Sequence, residues 1–211
     1  LVKDGMVVGL GTGSTANLAI EGLGRRVGEG LRIEGVATSK FTERLARKVG
    51  IPITTLDEVE EIDLTIDGAD EVDPSFNLIK GMGGALLREK IVAFASKQEV
   101  IIVDDSKLVD VLGTKSPLPV EVAPFGHART RDALEVLGCK ASLKGGNIPF
   151  LTDNGNLIYE CKFERIEDAE MLEAEMDMIP GVVESGLFID LVTKVVVASA
   201  KGVEVRSKSL S

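Results

Sequence analysis

The sequence has no tryptophan, one tyrosine, one histidine and only two cysteines among 211 residues. With His127 as the single histidine, a Ser-His-Asp triad would depend on it alone, and no G-x-S-x-G elbow accompanies it, so His127 reads as structural or exposed. Cys139 and Cys161 form no C-x-x-C pair and have no histidine near them. That excludes a disulfide framework or a zinc site as the organising element and makes a reducing, cytoplasmic setting the default. No apolar run reaches spanning length and no charged–apolar–small signal pattern opens the chain, so no membrane partner is expected. No run of Lys and Arg is long enough to form a basic face, and the net charge is -10. A general nucleic-acid binder is thereby excluded, and an anionic ligand has to be held by local features.

What the sequence does have is Val, Ile, Leu, Ala and Gly, with 44% hydrophobic and 27% charged residues. This balance suits a buried parallel sheet covered by helices, and the length suits a main domain with a smaller partner. Leu1–Gly5 reads as the last turn of a helix ended by Gly5, so a preceding N-terminal helix is expected. From Met6 to Pro124, apolar strands at Met6–Leu10, Ile33–Ala37, Ile62–Ile66, Val100–Val103 and Val120–Val122 alternate with helical spacing at Ser14–Val27, Phe41–Val49 and Ala85–Ser96. Such alternation predicts parallel βαβ units.

Beyond Pro124 the texture changes to a small α+β pattern. Helices are expected at Arg129–Leu137 and Ile166–Met178, and strands at Ala141–Lys144, Val182–Ile189 and Lys194–Ala200. Asp153-Asn154-Gly155-Asn156 reads as a hairpin turn between Ile148–Leu151 and Leu157–Phe163. The expected division is 1–123 with 194–211 as the main domain and 124–193 as the small one. There is no internal repeat and no low-complexity segment.

Four segments at strand ends carry chemistry. Gly9-Leu10-Gly11-Thr12-Gly13-Ser14-Thr15 joins the first strand to the first helix, where glycines allow a tight turn and free N–H groups favour an anion. A plain glycine turn with a Ser/Thr cap is at least as good a reading for this segment alone. A dinucleotide fingerprint fits loosely, but strand two ends in Ala37-Thr38-Ser39-Lys40 without the ribose-binding acid; Glu34 sits near its start. A Walker A loop is excluded because no Gly-Lys-Ser/Thr follows, which leaves a phosphate monoester as the better ligand. Asp67-Gly68-Ala69-Asp70-Glu71 places carboxylates after an apolar strand, beside small residues that admit a ligand. An acidic loop or a divalent-metal site competes there, although no His or Asn pattern supports metal.

Lys80-Gly81-Met82-Gly83-Gly84 is a second glycine turn, whose N–H groups can form an anion nest for a developing oxyanion. A solvated lysine before a turn is the plainer alternative. The helix that follows is apolar all round except for Arg88-Glu89-Lys90. Glu89, flanked at helical spacing by Ala85, Leu86, Val92 and Ala93, either pairs with a cation or is a desolvated carboxylate of raised pKa, suited to a general base. Asp104-Asp105-Ser106-Lys107 brings another lysine to the same sheet edge.

Together, Gly11–Thr15, Asp67–Glu71, Lys80-Gly81-x-Gly83 with Arg88-Glu89-Lys90, and Asp105-Ser106-Lys107 resemble the type A ribose-5-phosphate isomerases. Pro117–Val122, Thr152–Asn156 and Ile179–Glu184 extend the likeness over nearly the whole chain. The resemblance implies a Rossmann-like three-layer α/β domain with a smaller α+β (ferredoxin-like) domain, in a homodimer or homotetramer. It implies interconversion of ribose 5-phosphate and ribulose 5-phosphate in the pentose phosphate pathway, with no metal and no organic cofactor. Residue by residue, it implies that Thr12, Gly13, Ser14 and Thr15 hold the phosphate. Asp67, Gly68, Ala69, Asp70, Lys80, Gly81, Met82 and Gly83 line the sugar, Met82 through its N–H, and Lys107 adds a contact. Glu89 is the implied base, with Asp67 and Lys80 as its catalytic partners. Family members also bind phosphate through a lysine of an N-terminal helix that has no counterpart in residues 1–211. The rival readings are a sugar-phosphate sensor of the same fold without turnover, an acyl-coenzyme A transferase and, weakest, a nicotinamide dehydrogenase.

Overall fold

The computed structural model describes residues 1–208, so the end of the expected 194–211 segment lies outside the described residues. In chain order the elements begin with β1 (Val7–Leu10), α1 (Ser14–Gly28), β2 (Glu34–Ala37), α2 (Lys40–Lys48), β3 (Ile53–Thr54) and β4 (Leu64–Asp67). Next come β5 (Glu71–Val72), β6 (Leu78–Ile79), α3 (Leu86–Phe94), β7 (Glu99–Asp104), a 3-10 turn at Asp105–Lys107 and β8 (Leu118–Val122). The remainder is α4 (His127–Val136), β9 (Lys140–Leu143), β10 (Leu157–Lys162), α5 (Ala169–Asp177), β11 (Val182–Ser185), β12 (Leu187–Phe188), β13 (Lys194–Ser199) and β14 (Gly202–Ser207). Contacts divide the chain into two compact units, Leu1–Gly68 with Arg88–Ser106 and Leu191–Ser211, and Ala69–Leu87 with Lys107–Asp190.

The first unit holds a sheet of order β14-β13-β7-β4-β1-β2-β3, parallel except for the β13–β14 hairpin at its edge. Its six parallel strands follow the 3-2-1-4-5-6 order of a doubly wound fold, with the topological switch point between β1 and β4. Alternation along β1 sends Val8 and Leu10 into a core with Ile20 and Leu23 of α1 and Ala46 of α2. On the other face, Val36, Ile62 and Val92 of α3 form a second cluster, against which Val7 packs. Helix ends are specified locally. Ser39 caps α2 by accepting the Thr42 N–H at 3.0 Å, and Arg25 and Arg26 sit in the last turn of α1, where positive charge suits the helix dipole.

In the second unit, β8–α4–β9–β10–α5–β11 builds an antiparallel sheet of order β11-β8-β10-β9, the ferredoxin-like arrangement. Leu118, Val120 and Val122 of β8 share its core with Leu134, Leu172, Met176 and Tyr159. Cys139 and Cys161 are free thiols in that core; a hydrogen bond to Cys139 and burial push the Cys161 thiol above the ordinary thiol range. His127, read from the sequence as structural or exposed, lies half-buried at the start of α4 with Nδ1 2.8 Å from the Tyr159 hydroxyl. A three-stranded sheet, β12-β6-β5, completes this unit. Segments 69–87 and 107–123, grouped with the main domain in the sequence reading, therefore make most of their contacts with the small unit.

Two expected elements take a different form. Residues 148–151 are not a strand, and β10 pairs with β9 instead. Turn 153–156 is held by the buried Glu121 carboxylate, which accepts from Thr152 Oγ1 (2.9 Å), Asn156 Nδ2 (2.9 Å) and Asn154 Nδ2 (3.3 Å). The expected strand Val182–Ile189 breaks at Gly186 into β11 and β12, which belong to different sheets. A Cβ at Gly186 would stand 2.3 Å from the Lys80 carbonyl oxygen and 3.0 Å from Pro119, so only glycine lets the chain cross there. Among the described residues, no helix is long and apolar enough to cross a membrane.

Candidate functional site

In the first unit, β1 and β4 end side by side at the switch point, where doubly wound sheets bind ligands. Gly11 follows β1 and donates its N–H to the Ile66 carbonyl at 2.9 Å. A Cβ on Gly11 would lie 2.1 Å from Asp67 Oδ1 and 2.6 Å from Asp67 Cα, so the glycine is required by the close approach of Asp67. Asp67 is buried at the end of β4, and its Oδ1 accepts the N–H groups of Gly68 (2.7 Å) and Thr12 (3.1 Å).

Thr12 differs from its neighbours in the glycine turn after β1. Its Oγ1 lies 2.7 Å from Thr38 Oγ1, 2.9 Å from Ser39 Oγ and 3.0 Å from Thr42 Oγ1. Thr38 and Thr42 in turn donate to the carbonyls of Leu10 and Gly11, each at 3.0 Å. Thr12 thus braces the turn, and the outward donors are those of Ser14 and Thr15 at the start of α1. Gly13 is the N-cap of that helix with φ +131°, and no side chain caps it. No acidic residue occupies the first turn of α1, so its N–H groups and dipole are available to an anion. The hydroxyl cluster of Thr38, Ser39 and Thr42 was not read from the sequence; the polar strand end Thr38-Ser39 directly before a helix was the signal that could have marked it.

Helix α3 is fixed on the sheet from below. A Cβ at Gly9 would meet Thr65 Oγ1 at 1.8 Å and Val92 at 2.9 Å, so the bare Gly9 admits α3 close to β1. Ser96 Oγ lies 2.7 Å from Thr65 Oγ1 and donates to the Val92 carbonyl at 2.7 Å. Glu89 is three residues before Val92, hence one turn nearer the carboxyl ends of β1 and β4, about 4.5 Å along the axis. Its side chain is 3% exposed. The acid that breaks an otherwise apolar helix is therefore buried, on the face that meets the sheet.

In the second unit, the β5–β6 hairpin brings Asp70 to the lysine–glycine turn. Its own turn is set by Asp73, whose Oδ1 accepts the N–H groups of Ser75 and Asn77, both at 2.8 Å. Asp70 donates its N–H to Ile79 (2.8 Å), and its Oδ2 accepts the Met82 N–H at 3.1 Å. The Met82 N–H, expected to face the sugar, is thus engaged with Asp70. Gly81 and Gly84 have φ of +103° and +84°, and their missing Cβ atoms leave room for Leu86 and for the Phe150 ring. Lys80 is buried, donates its N–H to Gly186 at 2.9 Å, and holds Nζ 5.3 Å from the centroid of the Phe188 ring. Lys107 ends the 3-10 turn and is half-buried.

Glu71 was read only as part of an acidic loop. It is fully buried, and its carboxylate accepts the N–H groups of Gly113 and Lys115, each at 2.7 Å, and that of Ser116. Three charge-assisted bonds to backbone make it an anchor for the segment after Lys107. Its pairing opposite Ile79 in the β5–β6 hairpin turns it inward, a pairing that two-residue strands do not announce in the sequence.

A doubly wound unit with a glycine turn and a buried carboxylate at its switch point, continued by a ferredoxin-like unit carrying a buried lysine, defines an α/β enzyme for a small anionic ligand. The family model for ribose 5-phosphate isomerase A (phosphoriboisomerase A) matches residues 34–202, and the chain belongs to that family. It is 55% identical to ribose-5-phosphate isomerase A of Gloeobacter violaceus, over 99% of this chain and 92% of the relative. The solved ribose 5-phosphate isomerase A of Methanocaldococcus jannaschii superposes with a TM-score of 0.93 at 46% identity, over 99% of this chain and 93% of that one. A D-ribose-5-phosphate isomerase solved in complex with phospho-erythronic acid gives 0.94 at 44% identity, over 98% and 92%.

Proposed function

We propose that this protein interconverts D-ribose 5-phosphate and D-ribulose 5-phosphate through a cis-enediolate, with Glu89 as the general base. The observation that carries the reading is the buried Glu89 carboxylate, one turn above Val92 toward the strand ends that hold Asp67 and the phosphate turn. The Ser14 and Thr15 end of α1, together with Gly13, takes the phosphate, and Thr12 braces that turn. After ring opening, assisted by Asp67, Glu89 removes the C2 proton as the electron pair moves into the C1–C2 bond and the carbonyl oxygen gains charge. The same carboxyl then returns the proton to C1, while the O2 hydroxyl proton passes to O1 and the C2 carbonyl forms. Lys80 and the glycine turn after it stabilise the enediolate oxygens, Asp70 and Lys107 orient the substrate, and Gly68 and Ala69 leave it room.

The bound phospho-erythronic acid of the solved relative supports this reading, because the two oxygens of its carboxylate can stand in for the two oxygens that a cis-enediolate carries on adjacent carbons. The test is conversion of ribose 5-phosphate to the ketose with a chelator present. Turnover unaffected by chelator is the expected result. Binding without turnover would instead support a sensor, and chelator-sensitive turnover would bring a metal into the reaction.

A further inference from the structure

The β6–β12 pair sets up Lys80 in a way the proposed reaction does not itself require. Leu187 stands opposite Ile79 and Phe188 opposite Leu78, in antiparallel register. Leu187 and Ile79 point into the core of the second unit. By the alternation of strands, Leu78, Lys80 and Phe188 share the other face, with Gly186 opposite Lys80. Lys80 and Phe188 are thus diagonal neighbours, a spacing that long and aromatic side chains bridge. The bond from Lys80 N–H to the Gly186 carbonyl, at 2.9 Å, fixes the lysine backbone against the same segment. The ammonium then lies over the ring at 5.3 Å, with Lys80 at 2% and Phe188 at 0% exposure. At such burial the negative face of a phenyl ring is a substantial partner for a cation, because little water competes.

We propose that Phe188 is a positioning residue for Lys80. Its ring seats the ammonium so that the charge is already aimed when the enediolate forms. This rests on the role given to Lys80 above. Phe188 is 0% exposed and acts through the lysine. Preorganised charge favours the transition state over bound substrate, so loss of the ring's negative face lowers kcat and leaves KM nearly unchanged.

The test replaces Phe188 with phenylalanines carrying one, two and three ring fluorines, which drain the negative face with little change in size. It is run beside Phe188→Leu, Phe188→Tyr and the core control Leu134→Val. The expected result is a stepwise fall in kcat with fluorine number, reaching about tenfold. KM should stay within about twofold, and Phe188→Tyr, which keeps the ring's negative face, should lose far less kcat than Phe188→Leu, while Leu134→Val lowers Tm without lowering kcat. Fluorinated enzymes that keep wild-type kcat, while Lys80→Met does not, would overturn the role of Phe188 and leave the reaction standing. A wild-type enzyme that does not turn over ribose 5-phosphate would overturn both. Because the fluorinated series preserves shape, the answer does not depend on Phe188→Leu folding.

Discussion

The two units solve the same problem, holding a charged group still in a buried place, by different means. In the first, Asp67 is fixed by backbone, with two N–H groups on one carboxylate oxygen and a glycine pressed against it. In the second, Lys80 is held through its side chain over an aromatic ring, and the turn after it depends on glycines of positive φ. Backbone constraint tolerates no added atom. Side-chain constraint can yield, and its energetic weight lies in the charge.

That contrast orders the expected effects. Lys80→Met keeps the volume and removes the charge, so kcat should fall by about 10²–10³ with the fold intact, as steady-state kinetics and thermal melting would show. Gly11→Ala should come next. Its methyl group meets the backbone of Asp67, and a loss of about 1–3 kcal/mol in urea unfolding should accompany a drop in kcat/KM. Gly84→Ala should be milder in kcat/KM. Its methyl meets the Phe150 ring, which can turn aside, and the cost comes mainly from φ +84°, about 1–2 kcal/mol. Equal losses of activity in the two glycine variants would erase the distinction between the units.

The smallest effect is on pH dependence. Burial pushes the Tyr159 phenol up from its ordinary range, with the nearby Arg131 charge opposing. A raised folded value means that its contribution to stability is full below the unfolded value, near pH 10, and is lost as pH rises further. Urea midpoints between pH 8 and pH 11 should therefore fall more steeply for wild type than for Tyr159→Phe. At neutral pH that variant should lose only about 1 kcal/mol with the hydrogen bond to His127.

The first unit was largely legible in the sequence because its signals are local. Apolar strands alternate with amphipathic helices, and Gly11, Gly13, Asp67 and Glu89 fall at strand ends or break a helical pattern. The β1, β2 and β4 segments lie within a residue or two of their expected ends. The second unit was less legible because its order comes from pairings distant in sequence. β5, β6 and β12 are each two residues long, too short for periodicity to show. Nothing near Gly186 announces that its carbonyl receives the Lys80 N–H, and nothing near Glu71 announces the three N–H groups some forty residues on. Turn 153–156 misled for the same reason. Its Asn-Gly chemistry is that of a hairpin, but its partner is the side chain of Glu121.

The proposed reaction turns on a buried carboxylate on α3 that carries the proton, and the steady-state kinetics of Glu89→Gln with ribose 5-phosphate address that role directly. Gln keeps the size and removes the base, so the account predicts kcat lower by at least about 10², KM changed by no more than a few-fold, and an unaltered circular dichroism spectrum. A Glu89→Gln enzyme that retains most of its kcat would contradict it.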